Sequence, residues 1–371
     1  MSPKIGVFCP TLNVYGGGEF VAIAIANTLA QQNHDVVLFS ADKINPEAIK
    51  NYFGETLHPK IQTIQQPTHF TSRGLGDFYQ TLIHSYIARN KCQTLIDAFS
   101  NCVLPWTQIT YIHFPYLNRF AFKENFPYLN RPRFNQAGAL PEVILEKKLV
   151  NYDKRLVLAN SHYTAAEIER YSHKTAQVLY PPFPSTITQT TKDIAKKVDE
   201  NLVITVSRLD ANKLLERIPT IAAQTDKDIR FAVIGRLCSQ PTLNQLEALV
   251  KRHGLTHRVK FYPNASAQKK ADLLSRAKIY LHTMEGEHFG ISIVEAMAYG
   301  CIPIVHNSGG MREFVPQNYR YQTPLEAAEK ISQEITHWTA AKADGAKAIA
   351  NQFSLSQFSE KFMELFNKFF T

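Results

Sequence analysis

The chain alternates, twice over, between short runs of apolar and β-branched residues and longer stretches whose apolar positions recur at helical spacing. Residues 5–9 (Ile-Gly-Val-Phe-Cys) read as a buried strand and 11–18 as a loop. A helix is expected over 19–31, where Phe20, Ile23, Ala24, Ala26, Leu29 and Ala30 are helically spaced, and 36–39 reads as the next strand. Strands joined through a helix run parallel, because such a crossover cannot close a hairpin. Further strands are expected at 94–99, 108–113 and 156–159, with helices between them, notably one at 140–152 and one N-capped by Ser161. Pro181, Pro182 and Pro184, followed by the Thr-rich stretch 185–191, break the pattern and read as a linker. A second series opens with a strand at 202–206 and continues at 231–234, 259–262, 279–282 and 302–305.

The expected fold class is therefore α/β, with two doubly wound Rossmann-like domains in tandem. A length of 371 residues accommodates two such cores, and an apolar fraction of 44% with 20% charged residues excludes a disordered or fibrous chain. Doubly wound sheets bind ligands beyond the carboxyl ends of their strands, and two of them facing each other make an interdomain cleft. The segment 353–370 is amphipathic, with Phe358, Phe362, Phe366 and Phe370 four apart, and needs an apolar surface to cover.

The formal charge of +9 suits an anionic partner such as a nucleotide, a phospholipid or a nucleic acid, and does not choose among them. Five cysteines, an odd number with no Cys-x-x-Cys pair, point to a reducing compartment. The apolar run at 5–9 is too short for a signal peptide, and no stretch approaches the roughly 20 apolar residues of a spanning helix. The expectation is a cytoplasmic protein, one able to dock at the cytoplasmic face of a membrane.

Four motifs carry chemistry. In Glu285-Gly286-Glu287-His288-Phe289-Gly290-Ile291-Ser292-Ile293-Val294-Glu295, Glu287 and Glu295 stand with seven residues between them around a strand–turn–helix junction. Gly290 begins the helix, so the N–H groups of Gly290, Ile291 and Ser292 and the positive helix end offer a seat for a diphosphate. Glu295, one turn in, can reach a ribose diol; Glu287, before the turn, can reach sugar hydroxyls. Secondly, Arg208 and Lys213 follow the strand at 202–206, where two cations can neutralise a leaving diphosphate. Thirdly, Gly16-Gly17-Gly18-Glu19 after the first strand lets a phosphate approach the backbone, though it is no Gly-x-Gly-x-x-Gly fingerprint. Fourthly, His113 in Tyr111-Ile112-His113-Phe114-Pro115 sits at a carboxyl strand end. His282, Glu285, Glu287 and His288 lack the spacing of a metal site.

Together these strings resemble family 4 glycosyltransferases of the GT-B fold, whose signature is Glu-x7-Glu followed by Ala-Met-Ala-x-Gly, here Ala296-Met297-Ala298-Tyr299-Gly300. Residues 303–310 match as well, and the wording is especially similar to mannosyltransferases that extend lipid-linked oligosaccharides. The resemblance implies that Glu287 contacts the donor sugar and that Glu295 binds the ribose. It implies that Arg208 and Lys213 form the family's Arg-x4-Lys element, with Leu214 where the family usually has Gly. It further implies that Gly17 and Gly18 meet the donor phosphates or the acceptor, and that His113 lines the reaction centre. The family transfers sugar with retention and without an obligatory metal. GDP-mannose is then the favoured co-substrate and a saccharide, lipid-linked, the acceptor; a nucleic-acid partner is not expected. The resemblance also implies that the C-terminal helix returns to the first domain, giving 1–182 plus 352–371 on the acceptor side and 195–345 as the nucleotide-sugar domain. Aromatic and basic residues interleave over 116–133, with Arg119, Lys123, Arg131 and Arg133, which suits an anionic membrane surface. A UDP-sugar donor with a soluble acceptor, and a non-catalytic sugar-nucleotide binder, stay open.

Overall fold

A computed structural model describes residues 3–67, 75–114, 154–184 and 200–371. The chain forms two compact units, Met1–Pro184 with Leu355–Thr371, and Ser185–Ser354. The helix expected at 140–152, the linker at 185–191 and the aromatic and basic stretch at 116–133 lie outside the described residues.

Unit 1 runs β1 (Lys4–Phe8), α1 (Gly17–Gln31), β2 (Asp35–Ser40), α2 (Pro46–Phe53), β3 (Gln62–Gln65), α3 (Leu75–Arg89), β4 (Thr94–Asp97), β5 (Ile109–Ile112), β6 (Leu156–Ala159), α4 (His162–Ser172) and β7 (Gln177–Val178). Its sheet has the order β3-β2-β1-β4-β5-β6-β7, and its strand pairs are parallel. The first helix is apolar on nearly every side and is buried from Glu19 to Ala30. Its start is fixed by Glu19, whose Oε2 accepts the Gly16 N–H at 3.0 Å. Ser161 caps α4 by accepting the Thr164 N–H at 3.0 Å.

Unit 2 runs β8 (Leu202–Val206), α5 (Arg217–Ala223), β9 (Arg230–Gly235), α6 (Gln240–Arg252), β10 (Val259–Pro263), α7 (Ala267–Arg276), β11 (Ile279–His282), α8 (Ile291–Ala298), β12 (Ile302–His306), β13 (Arg320–Tyr321), α9 (Pro324–Thr336) and α10 (Ala340–Asn351). The sheet order is β10-β9-β8-β11-β12-β13. Its core gathers Val203, Phe231, Val233, Ile279, Leu281 and Ile304 from the strands. The last helix, α11 (Leu355–Phe370), belongs to unit 1. It lays Phe358, Phe362, Leu365 and Phe366 inward and meets α1 through Thr28 Oγ1 and Ser359 Oγ at 2.8 Å. No helix among the described residues is long and apolar enough to cross a membrane.

Ten strands were expected from the apolar runs. Among the described residues there are three more, β3, β7 and β13, and each is the outermost strand of its sheet. An outer strand needs no apolar face on both sides. Gln62–Gln65 is mostly exposed, so it leaves no apolar run to find.

Both sheets reverse their strand order at one point, between β1 and β4 in unit 1 and between β8 and β11 in unit 2. At such a switch point the loops leaving the two strands diverge to opposite faces and open a crevice at the carboxyl ends. In unit 1 those loops carry Gly16–Gly18 and Asp97–Asn101. In unit 2 they carry Arg208–Lys213 and Glu285–Gly290. The topology thus brings motifs distant in sequence to one edge in each unit.

Candidate functional site

In unit 2, the loop that leaves β8 carries Arg208, which is exposed. The chain then turns through a single helical turn, Ala211–Lys213, capped by Asp210 Oδ1, which accepts the Asn212 N–H at 2.9 Å. Leu214 ends this turn at φ 51°. That left-handed conformation favours glycine. The loop keeps the glycine shape expected of the motif with a leucine in it.

Lys213 Nζ donates to Glu287 Oε2 at 2.9 Å and lies 3.2 Å from Met284 Sδ. Thr283 Oγ1 donates to the Lys213 carbonyl at 2.8 Å, which ties the loop after β8 to the loop after β11. His282 Nε2 stands 3.4 Å from the same Glu287 oxygen. Burial pushes the Glu287 carboxyl up. The Lys213 ammonium outweighs it, with help from His282 and His288, and holds the group well below the usual carboxylate range. Glu287 is therefore a carboxylate, 16% exposed, that can accept from sugar hydroxyls.

The turn that carries it is tightly built. Gly309, at φ 70°, packs so closely that a Cβ there would sit 2.2 Å from the Glu287 carbonyl oxygen. The Gly310 N–H donates to that same oxygen at 2.9 Å. Beyond the turn, Gly290 stands at φ 93° as the N-cap of α8. The first amides bonded back to the cap are those of Ile293 and Val294, at 2.9 and 3.4 Å from the Gly290 oxygen. The N–H groups of Gly290, Ile291 and Ser292 have no recorded partner among the described residues, and these three residues are partly exposed. Orphan donors at the positive end of a helix dipole are an anion seat. The Ser292 hydroxyl points elsewhere, to Tyr280 Oη at 2.8 Å, and so anchors the helix start on β11.

Glu295 is 7% exposed. Its Oε1 is 2.5 Å from Lys270 Nζ on α7, a cation the sequence pattern did not mark. An ordinary surface lysine on an amphipathic helix carries no signal that its partner lies 25 residues on.

In unit 1, Gly18 lies in the first turn of α1 against the loop after β4. A Cβ on Gly18 would meet Phe99 Cε2 at 2.5 Å and His113 Nε2 at 3.5 Å, so Gly18 and His113, 95 residues apart, are neighbours. Gly17 is the first residue of the same helix. His113 donates from Nε2 to the Ala98 carbonyl at 2.9 Å. A carbonyl only accepts, so that nitrogen carries the proton and Nδ1 is the acceptor. Burial pulls the His113 pKa down to about 4, against the Ala98 bond, which favours the charged ring. The ring is neutral at pH 7.

Two residues absent from the sequence motifs build this corner. Asn101, at φ 59°, accepts the N–H groups of His113 and Phe114 at 2.8 and 2.9 Å. Asp97 accepts those of Phe99 and Ser100 at 3.1 and 3.0 Å and shapes the turn that presents the Ala98 carbonyl. Burial raises the Asp97 carboxyl to about 6, the backbone hydrogen bonds opposing it. Asp and Asn at loop positions are too common to single out from sequence.

Residues 186–352 match the family described as glycosyl transferases group 1. A GDP-Man:Man(3)GlcNAc(2)-PP-Dol alpha-1,2-mannosyltransferase of Mus musculus is 28% identical over 251 residues, 60% of this chain and 50% of the mouse protein. The enzyme of the same description from Homo sapiens is 35% identical over 138 residues, 34% of this chain and 28% of that protein. The chain thus spans half or less of the length of these curated relatives. Among solved structures, Anabaena HepE in complex with UDP and glucose superposes with a TM-score of 0.71 at 19% identity, covering 99% of this chain and 100% of HepE. The fold is that of GT-B glycosyltransferases.

Proposed function

We propose that this chain, a GT-B protein with a group 1 glycosyltransferase region over residues 186–352, is a retaining hexosyltransferase that moves mannose from GDP-mannose onto a lipid-linked saccharide. The observation that carries the reading is the switch point of unit 2. There an ionised Glu287 paired with Lys213, an open helix N-terminus at Gly290–Ser292 and a buried Glu295 follow one another along the turn and first turns of α8. The mannosyltransferase descriptions of the relatives favour mannose and the guanine nucleotide.

In this reading the diphosphate lies against the amides of Gly290, Ile291 and Ser292, with Arg208 and Lys213 neutralising it. Glycosyl transfer builds negative charge on the departing phosphate, and fixed cations and amides stabilise that charge without reorganising. Glu295 takes the ribose diol, and Lys270 pairs with it from α7. Glu287 accepts from hydroxyls of the transferred sugar and sets its orientation. No protein nucleophile is required. The bond from the anomeric carbon to phosphate breaks as the acceptor oxygen bonds on the same face, and the departing phosphate oxygen takes the acceptor's proton. On unit 1, the neutral His113 offers Nδ1 as an acceptor to a sugar hydroxyl, and Gly17 and Gly18 allow a phosphate or acceptor to come close. No metal is required for these steps. The stretch at 116–133 provides contact with the cytoplasmic face of a membrane, where a lipid-linked acceptor lies; this part rests on sequence alone.

The test is ligand-induced thermal stabilisation. GDP should raise the melting temperature more than GMP at matched concentration, because the second phosphate meets both cations and stabilisation follows saturation. It should also exceed UDP. Equal shifts for GDP and GMP would remove the diphosphate assignment, and a larger shift with UDP would move the donor to a uridine nucleotide.

A further inference from the structure

The loop after β8 meets the turn before α8 through a second ion pair that the proposed mechanism does not use. Arg217, four residues beyond Lys213 at the start of α5, directs Nη2 onto Glu285 Oε1. Glu285 stands two residues before Glu287, so two parallel ion pairs, Lys213–Glu287 and Arg217–Glu285, join the same two segments. The contact continues inward. Glu285 Oε1 lies 3.7 Å from His306 Nε2, His306 Nδ1 is 2.7 Å from Ser308 Oγ, and Ser308 Oγ accepts the Gly286 N–H at 2.8 Å. The backbone of residues 285–287 is thereby held from one side by Arg217 and from the other by the end of β12.

We propose that Arg217 and Glu285 are positioning residues for Glu287, their ion pair fixing the turn so that the Glu287 carboxylate is aimed at the donor sugar. The reason is a division of labour between the two cations. In the proposed reaction Lys213 must turn part of its charge to the diphosphate, which weakens its hold on Glu287 when that carboxylate has to be still. Arg217 has no phosphate to meet in this arrangement and keeps the turn in place throughout. Guanidinium suits the task, because it stays charged and its planar fork restricts the geometry of the carboxylate it holds. The inference rests on the sugar-orienting role given to Glu287 above.

The nucleotide seats, Glu295 and the α8 amides, are not part of the chain Arg217–Glu285–His306–Ser308–Gly286. Loss of the ion pair should therefore misaim the sugar and leave the nucleotide bound. The experiment compares wild type with Arg217→Met, Glu285→Gln and the double variant. Release of GDP from GDP-mannose, with a lipid-linked saccharide present to take the mannose, gives kcat, and calorimetric titration gives the Kd for GDP. Each single variant should lose about tenfold in kcat, since an ångström of misplacement costs that order or more. The GDP affinity should stay within about twofold. The double variant should lose no more than either single one, the mark of residues acting as a unit. Arg217→Lys should recover part of the loss.

Turnover unchanged in the single variants overturns the proposal and leaves the functional reading intact. So does a parallel fall of kcat and GDP affinity, which would mark a merely structural pair. A wild type that binds GDP but, with the saccharide acceptor present, releases no GDP from GDP-mannose and no UDP from UDP-glucose sinks the functional reading, and the positioning role falls with it.

Discussion

At the switch point of unit 2 charge is compensated pair by pair, Lys213 with Glu287, Arg217 with Glu285 and Lys270 with Glu295. At the switch point of unit 1 the polar groups are held by backbone hydrogen bonds instead. His113 is neutral on the Ala98 carbonyl, and Asp97 is fully buried with Oδ2 lacking a partner among the described residues. The first arrangement sets each carboxylate against a fixed cation and holds Glu287 ionised. The second keeps a ring neutral and pushes a carboxyl toward neutrality. Under the proposed function, stabilising a leaving diphosphate calls for fixed charges, whereas orienting hydroxyls calls only for neutral donors and acceptors whose geometry is fixed.

Substitutions at the two sites should separate these roles. The largest effect is expected from Glu287→Ala, with turnover falling by about 10²–10³, the range for removing one preorganised polar group. Nucleotide affinity should persist in Glu287→Ala and fall first in Glu295→Ala. Calorimetry on both variants checks this, and the reverse pattern would exchange their roles.

The glycines give the next contrast. Gly309→Ala drives a Cβ to 2.2 Å from the backbone oxygen of Glu287, whereas Gly18→Ala meets the Phe99 ring, which can shift. Denaturant unfolding should show a loss of about 3 kcal/mol for Gly309→Ala and about 1–2 kcal/mol for Gly18→Ala. Equal losses would mean that the unit 1 corner is as rigid as the unit 2 turn.

The pH response should have opposite signs at the two carboxylates. Asp97 titrates near 6 when folded and from 3.8 when unfolded, so the folded state holds the extra proton between those values. Its burial is harmless below about pH 3.8 and costs stability as pH rises through 6. Glu287 has a folded value below its ordinary 4.5, so it contributes stability above that value and loses it as pH falls. His113, lowered from 6.5 to about 4, contributes fully above 6.5 and loses that contribution as pH falls toward 4. Asp97→Asn keeps an oxygen for the two amides and removes the titration. It should be more stable than wild type by about 3 kcal/mol at pH 7, with the difference nearly gone by pH 4. A gain that is independent of pH would contradict the buried-charge account.

The smallest effect concerns the loop that departs from its motif. Leu214→Gly relieves a left-handed leucine, a strain of about 1–2 kcal/mol, and adds chain entropy to the unfolded state. The net expectation is a gain of about 0.5 kcal/mol in chemical denaturation, with GDP affinity unchanged. A loss would show that the leucine side chain contributes more by packing than its backbone costs.

The sequence made the central strands and the motif loops legible for different reasons. Strands such as β8 and β11 are buried on both faces, so they read as unbroken apolar runs. The loops read through strings of unusual composition, Glu-x7-Glu above all. What stayed illegible was polar and relational. The outer strand β3 has no apolar run, and Asp97, Asn101, Arg217 and Lys270 are ordinary residue types at ordinary positions. Their importance comes from partners at sequence separations that no periodicity encodes, such as Arg217 with Glu285 across 68 residues. Leu214 is the reverse case, a residue whose type argued against the loop shape it adopts.

The return of α11 to α1 makes the order of synthesis matter. Unit 2 is continuous in sequence, so it can finish folding once residue 354 has left the ribosome. Unit 1 begins first and finishes last, because α1 lacks its neighbour α11 until residues 355–370 emerge. For the whole time that unit 2 is being made, the nascent chain exposes an apolar face, which invites a chaperone or a mispairing with a neighbouring chain.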